Sequence, residues 1–403
     1  MAHELTLETL RRIRQAGSCT RAELAKNLGI SLSQVSKLTA GLSILGLIHE
    51  SGTPEPVNGR PAGRLAINPN AACVVGIDVG SDRKIAVITD LAGEIITYLD
   101  EPSPDQDISF PCLEDLINRV IHQANIPVQR VLGLGVGICT IVDPVSGMVY
   151  RYGNPDLPEF TSNAVKLPVR DELVTHLSFE HILVDDIVRT LGIAEARYGL
   201  GMGESNFVYL LADTGIGMAI MLNGVPFIGA SHIAGEIAHL PVGNQPILCN
   251  CGNTGCLGVL VGFEQVLKKT RQRMVESPVR SSLRLLKNMT IEDVLKAGEI
   301  GDKIATQVLI ETGEYIGQAL SVILNLFGPR LVIAGGKLAQ STVCRETAGR
   351  VMRMHALEMA SRGVDLKLSS LDHLAGARGA ATLALDALFV PGEKDIVSIL
   401  ESH

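Results

Sequence analysis

Between Glu236 and Leu257 the chain places one histidine and three cysteines, His239, Cys249, Cys251 and Cys256, within eighteen residues. A loop must curl on itself to bring them together, and Gly252 and Gly255 stand where it would turn. Cys249 and Cys251 are separated by one residue, a spacing poorly suited to a mutual disulfide. Three thiolates and an imidazole have the ligand types and number of a closed structural zinc site (Zn2+). Four protein ligands leave no open position for a metal-bound water, which disfavours hydrolytic chemistry. The competing reading is a set of free buried thiols. The other five cysteines, Cys19, Cys73, Cys112, Cys139 and Cys344, are scattered among apolar residues, unlike a secreted disulfide framework.

With 403 residues, 46% of them hydrophobic, the chain has material for two or three domains and a large core. Tryptophan is absent and aromatics make up 3%, so the core is aliphatic and aromatic stacking is a poor route to a nucleic-acid ligand. No apolar run is long enough to span a bilayer, and Glu4 and Glu8 interrupt any signal-peptide pattern, so the expected location is the cytoplasm, with no membrane partner. Charge is uneven. Up to Asn70 there are eight Lys/Arg against five Asp/Glu; beyond it there are 27 against 38. A mildly basic head on an acidic body suits a polyanion partner for the head alone.

The head carries two helix starts in close order. Thr20 and Glu23 fit one capping box, Ser31 and Gln34 a second, with Gly29 between them to stop the first helix. Leu7, Leu10 and Ile13 space an apolar face on a preceding helix, and Val35, Leu38, Leu42 and Leu45 do so on the last. This is the pattern of a helix-turn-helix, whose last helix would present Ser33, Gln34, Ser36 and Lys37 to the major groove. A strand, a turn-rich loop and a second strand follow as a wing, with Arg60 and Arg64 placed to reach phosphate or the minor groove. The alternative is a small module for protein contacts.

From Cys73 the pattern changes to α/β. Strands are predicted over Val74–Val79, Lys84–Thr89 and Glu94–Leu99, then an amphipathic helix in "LEDLINRVIHQAN" and a buried strand in "RVLGLGVGICTIVD". A similar order restarts near Asn206: two strands around "DTGIG", a long helix ending before Gly328, and the strand "RLVIAGG". Two such halves suggest the two-lobed architecture of actin-like ATPases and sugar kinases. The expected domains are a winged helix-turn-helix over 1–70, one lobe over 71–200, and a second over 201–403 that includes the cysteine loop, with the C-terminal helix free to return to the first lobe.

The chain resembles the ROK family of bacterial sugar kinases and sugar-responsive repressors. Its most specific match is "GEIAHLPVG…CNCGNTGCL", which is similar to the family's G-E-x-x-H followed by C-x-C-G-x-x-G-C-L. The resemblance implies that His239, Cys249, Cys251 and Cys256 are zinc ligands. It implies a sugar site containing Glu236, His239 and Asp186, the last being the general base in the kinases. Asn154 is a further candidate, although an asparagine before Pro155 equally shapes a turn. Two departures stand out: Asp185 replaces the family's asparagine, and Gly258 stands where a sugar-holding glutamate is expected. The phosphate loops depart too. "DVGSDRK" carries Ser81 and Asp82 in place of Gly-Thr, and "DTGIG" carries Asp213 in place of a glycine. Acidic side chains in both loops oppose a strongly anionic ligand and argue against ATP binding and kinase activity.

The resulting expectation is a transcriptional regulator, a repressor of carbohydrate-utilisation genes, that binds a double-stranded DNA operator and answers to a sugar or sugar derivative. Two-fold operators imply a homodimer or homotetramer. A sugar kinase with an added head, or a regulator that has lost its sugar and answers to another partner, are the alternatives.

Overall fold

The structure is a computed structural model that describes residues 2–57, 60–103, 106–152, 164–392 and 394–401. The chain divides into two compact units. The first comprises Met1–Gly137, Val169–Val184 and Ala377–His403; the second comprises Ile138–Pro168 and Asp185–Gly376. The C-terminal segment groups with the first unit, and the chain passes between the units at Gly137–Ile138, Pro168–Val169, Val184–Asp185 and Gly376–Ala377.

In the first unit, α1 (Ala2–Ala16), α2 (Arg21–Leu28) and α3 (Leu32–Ile44) form the head. Both capping boxes are present: Thr20 and Glu23 bond reciprocally at the start of α2, and Ser31 and Gln34 at the start of α3. Gly29 ends α2 in the left-handed region at φ 66°, which a β-carbon would disfavour. Leu7, Leu10, Ile13, Leu24, Val35 and Leu42 are buried together with Leu47 and Leu65. The wing is β2 (Ile48–Val57) paired antiparallel with β3 (Arg60–Ile67). A short strand that the sequence reading lacks, β1 (Ser18–Thr20), adds to β3.

The same unit holds a five-stranded sheet. Its strands are β4 (Cys73–Val79), β5 (Arg83–Asp90), β6 (Ile95–Pro102), β7 (Val131–Ile138) and β11 (His181–Asp186), in the order β11-β7-β4-β5-β6. Helix α4 (Phe110–Ala124) lies on β5 and β6 through Leu113, Leu116, Ile117, Val120 and Ile121. The helix Ala375–Ala387 approaches the sheet backbone to backbone. A β-carbon at Gly76 would strike the Ala377 carbonyl, and one at Gly135 the Ala380 carbonyl. The end of this helix and the residues after it hold α1. Arg14 Nη1 lies 2.7 Å from Asp386 Oδ1, and its guanidinium stands 4.5 Å over the Phe389 ring. His3 Nε2 lies 2.6 Å from Asp395 Oδ2.

The second unit begins with a small sheet of β8 (Ile141–Asp143), β9 (Met148–Arg151) and β10 (Val165–Leu167). The single strand expected over "RVLGLGVGICTIVD" is therefore two, β7 and β8, broken at Cys139 and Thr140. Its main sheet consists of β12 (Phe207–Ala212), β13 (Ile216–Leu222), β14 (Val225–Pro226), β15 (Leu331–Gly335) and β16 (Asp365–Leu368), in the order β14-β13-β12-β15-β16. Strands β12, β15 and β16 run parallel. The helix Lys303–Phe327 packs closely on the helix Thr342–His355, because Gly313 and Gly317 let it meet the carbonyls of Cys344 and Ala348.

Candidate metal centre and neighbouring carboxylates

The four predicted ligands converge. One donor atom from each of His239, Cys249, Cys251 and Cys256 lies within 4.8 Å of the others. Cys249 Sγ is 3.5 Å from His239 Nδ1, and Cys251 Sγ is 3.8 Å from Cys256 Sγ. The loop closes through two isolated bridges, Pro241 with Cys256 and Leu248 with Thr254. Gly255 is indispensable to the curl: its φ is 69°, and a β-carbon there would strike the Gly243 carbonyl. Burial, then the neighbouring sulfurs, push the Cys256 thiol up to about 12, and burial lowers the His239 pKa. Three crowded thiols next to a neutral imidazole suit a divalent cation, which would favour the thiolates. The cluster can hold a metal ion such as zinc.

Glu236 precedes the one-turn helix Ile237–His239 that places the histidine ligand. Burial first, and the nearby Asp186 second, raise the Glu236 carboxyl to about 8, with Arg189 only partly offsetting them. Asp186 caps α6 (Ile187–Tyr198) by accepting from Val188 N at 2.6 Å. Burial raises it to about 6, against the lowering effect of Arg189. Glu236 thus neighbours Asp186, and the turn that follows it carries His239. Asn154 lies outside the described residues. The ring of Tyr152 stands 6.2 Å from that of His239.

Asp185 is not a second free carboxylate. Its Oδ1 accepts from Asp186 N at 2.7 Å and lies 2.6 Å from Arg189 Nε. A second nitrogen of Arg189 donates to the Val142 carbonyl at 2.6 Å. Arg189 is the candidate site residue that the sequence reading missed. Its signal was the i,i+4 spacing of Asp185 and Arg189 across a helix start. Gly258 opens the short helix Gly258–Val261; a β-carbon there would lie 3.3 Å from the Ala238 carbonyl, so a side chain needs slight local movement.

Of the acids in the two glycine-loop regions, Asp82 is exposed, whereas Asp78 is buried and Asp213 bonds backbone donors. Asp78 is buried at the end of β4, and burial, then Asp100 and Asp82, raise it to about 8. Asp213 accepts from Thr214 N at 2.9 Å and from Lys337 N at 3.3 Å. Its carboxylate therefore engages one amide at each of two glycine turns.

In the head, Ser33, Gln34, Ser36 and Lys37 are all exposed on α3. Gln34 uses its carbonyl oxygen for the cap, 3.0 Å from Ser31 N, and Ser36 Oγ donates to the Leu32 carbonyl. Arg64 bonds Ser18 through Nε at 3.0 Å and through Nη2 at 2.8 Å, so it braces the wing against β1. Arg60 opens β3, and its side chain lies outside the described residues.

A model described as the ROK family matches residues 74–387. The xylose repressor of Caldicellulosiruptor bescii is 26% identical over 329 residues, covering 79% of each chain. The xylose repressor of Bacillus subtilis is 24% identical over 391 residues, covering 94% of each chain and so including the head. Among solved structures, a ROK family transcriptional regulator described as a homolog of the E. coli Mlc protein superposes with a TM-score of 0.80 at 22% identity, covering 100% of this chain and 98% of that one.

Proposed function

The chain belongs to the ROK family, and from that premise we propose that it is a DNA-binding transcriptional repressor of carbohydrate-utilisation genes, controlled by a sugar or sugar derivative. The observation that carries the reading is the combination of two features in one chain. A capped helix-turn-helix exposes Ser33, Gln34, Ser36 and Lys37. The phosphate loops, meanwhile, carry Asp213 on the amides of Thr214 and Lys337 and an exposed Asp82 just before β5. The first feature suits DNA; the second opposes ATP, so the kinase reading is set aside. The similarity to xylose repressors of two bacteria, over 94% of each chain in the Bacillus subtilis case, supports the same choice.

Glu236, Asp186 and His239 supply the polar groups for sugar hydroxyls. A carboxyl near 8, like Glu236, is mostly protonated at neutral pH and can donate as well as accept. The effector acts by binding one of two states of the repressor more tightly and so shifting DNA affinity. Zinc, when bound by His239 and the three cysteines, supplies structural cross-linking of the loop. It thereby fixes the His239 ring and, through the turn Ile237–His239, the position of Glu236. A two-fold operator requires a homodimer or homotetramer, and the working location is the cytoplasm. Gly258 favours one secondary reading, a regulator that answers to a partner other than a sugar, because a family acceptor is absent there.

Two measurements test this. Binding to DNA upstream of its own gene should weaken steeply with salt, and absent or salt-insensitive binding would overturn the repressor reading. Protein purified without added metal should contain about one zinc per chain, and replacing Cys256 with Ser should abolish it. A zinc-free, fully stable protein contradicts the metal assignment.

A further inference from the structure

His232 lies in the left-handed backbone region, at φ 63°, in a loop whose other left-handed positions, Gly229 and Gly235, are glycines. A β-carbon is disfavoured there, so a histidine needs a compensating role. Its Nδ1 lies 3.1 Å from Asp143 Oδ1. Asp143 also accepts from Val145 N at 3.0 Å and from Ser146 Oγ at 2.6 Å. Burial works against its ionisation, but these donors prevail and lower its pKa. An ionised, acceptor-only Asp143 fixes the ring proton on Nδ1, which leaves Nε2 as an acceptor in the neutral imidazole. The side chain is 37% exposed, and among the described residues nothing bonds to Nε2.

The pair is wired to the candidate site. Glu236 follows His232 by four residues on the same loop. Asp143 follows Val142, whose carbonyl is held by Arg189, and Arg189 in turn bonds Asp185 beside Asp186. We propose that His232 is a further effector-binding residue and a determinant of specificity: oriented by Asp143, its Nε2 accepts a hydroxyl of an uncharged sugar, supplying an acceptor in a site where position 258 is glycine. The inference rests on the reading of this site as an effector site.

The competing role is a mere clip that ties the loop to the β8–β9 hairpin. His232→Asn separates the two, because asparagine tolerates the left-handed region and still donates to Asp143, but offers nothing in place of Nε2. Calorimetry on the full chain with D-xylose, D-glucose and N-acetyl-D-glucosamine should find one sugar that binds the native protein. His232→Asn should keep the melting temperature but bind that sugar about fivefold to tenfold more weakly. In nitrogen-15 histidine spectra, the His232 Nε2 resonance should move on sugar addition, which a clip would not cause. If His232→Asn melts lower, the Nε2 resonance of the native chain decides between the two roles. Unchanged sugar affinity in the variant, or an unmoved Nε2 resonance at saturation, overturns the inference alone. If no sugar binds the native chain, the effector reading fails and the inference falls with it.

Discussion

Asp185 Oδ1 lies 2.6 Å from Arg189 Nε, one helical turn apart, with both side chains buried. This relationship explains how a family asparagine can become an acid beside Asp186. Burial raises the Asp185 carboxyl above its ordinary range, and Arg189 offsets part of that cost. Arg189 is itself raised by Asp185 and Asp186, although burial works the other way. Removing one partner leaves an uncompensated buried charge. Arg189→Ala or Asp185→Asn alone should therefore cost about 3–5 kcal/mol in urea unfolding. The double variant should recover most of that loss, a coupling that a double-mutant cycle measures directly. Additive single effects would mean that the pair is not coupled.

The raised carboxyl of Glu236 predicts a pH dependence with a definite sign. Unfolded, Glu236 releases its proton near the ordinary glutamate range; folded, it keeps it to about 8. The native state therefore holds about one more proton across that window, and stability falls as pH rises through it. Glu236→Gln should reduce this slope between pH 5.5 and pH 8, with Asp78 and Asp186 still contributing the same sign, and leave the variant the more stable protein at the upper end. Parallel stability curves for the two proteins would show that Glu236 does not carry the effect.

Gln34 has two ends with different duties, so substitutions there must be chosen with care. Its carbonyl oxygen accepts from Ser31 N and Ser31 Oγ, and its amide nitrogen remains to meet DNA. Gln34→Ala loses the reciprocal half of the capping box, while Ser31 Oγ still accepts from the residue-34 amide, and so confounds folding with recognition. Gln34→Glu keeps the cap but adds a charge that repels phosphate, so DNA binding should fall without loss of stability. Lys37→Ala should reduce the slope of log affinity against log salt by about one. Arg64→Ala should also lower the melting temperature of the head, since its Nε and Nη2 donate to Ser18. A salt slope unchanged in Lys37→Ala removes that residue from the interface.

What was legible in the sequence was local. The two capping boxes join residues three apart, Gly29 sits directly after its helix, and the four candidate metal ligands fall in one short stretch. What escaped depends on distant partners. Ser18–Thr20 is too short to read as a strand and exists because it pairs with Arg64–Ala66. The Asp143–His232 pair joins a hairpin to a loop far along the chain. The small residues of Ala375–Ala387 become meaningful only beside Gly76 and Gly135, whose missing side chains let the helix settle on the sheet. Arg189 could have been found from its spacing to Asp185, but its second bond, to the Val142 carbonyl, could not.

Asp213 offers the sharpest test of the proposal that the chain does not bind nucleotide. Its two oxygens accept from Thr214 N and Lys337 N, amides at the ends of two different glycine turns. A phosphate group arriving there would have to displace a carboxylate already seated and would then be repelled by it. Asp213→Gly removes both obstacles. Affinity for ATP, measured by calorimetry at low salt, should rise by about tenfold or more, consistent with one like charge removed at close range. Phosphoryl transfer to sugar should remain absent, because Asp82 still replaces the hydroxyl donor of the first loop and Asp78 stays buried beside it. If the variant and the native chain bind ATP equally, the carboxylate is not what excludes the nucleotide, and the cause lies in the first loop instead.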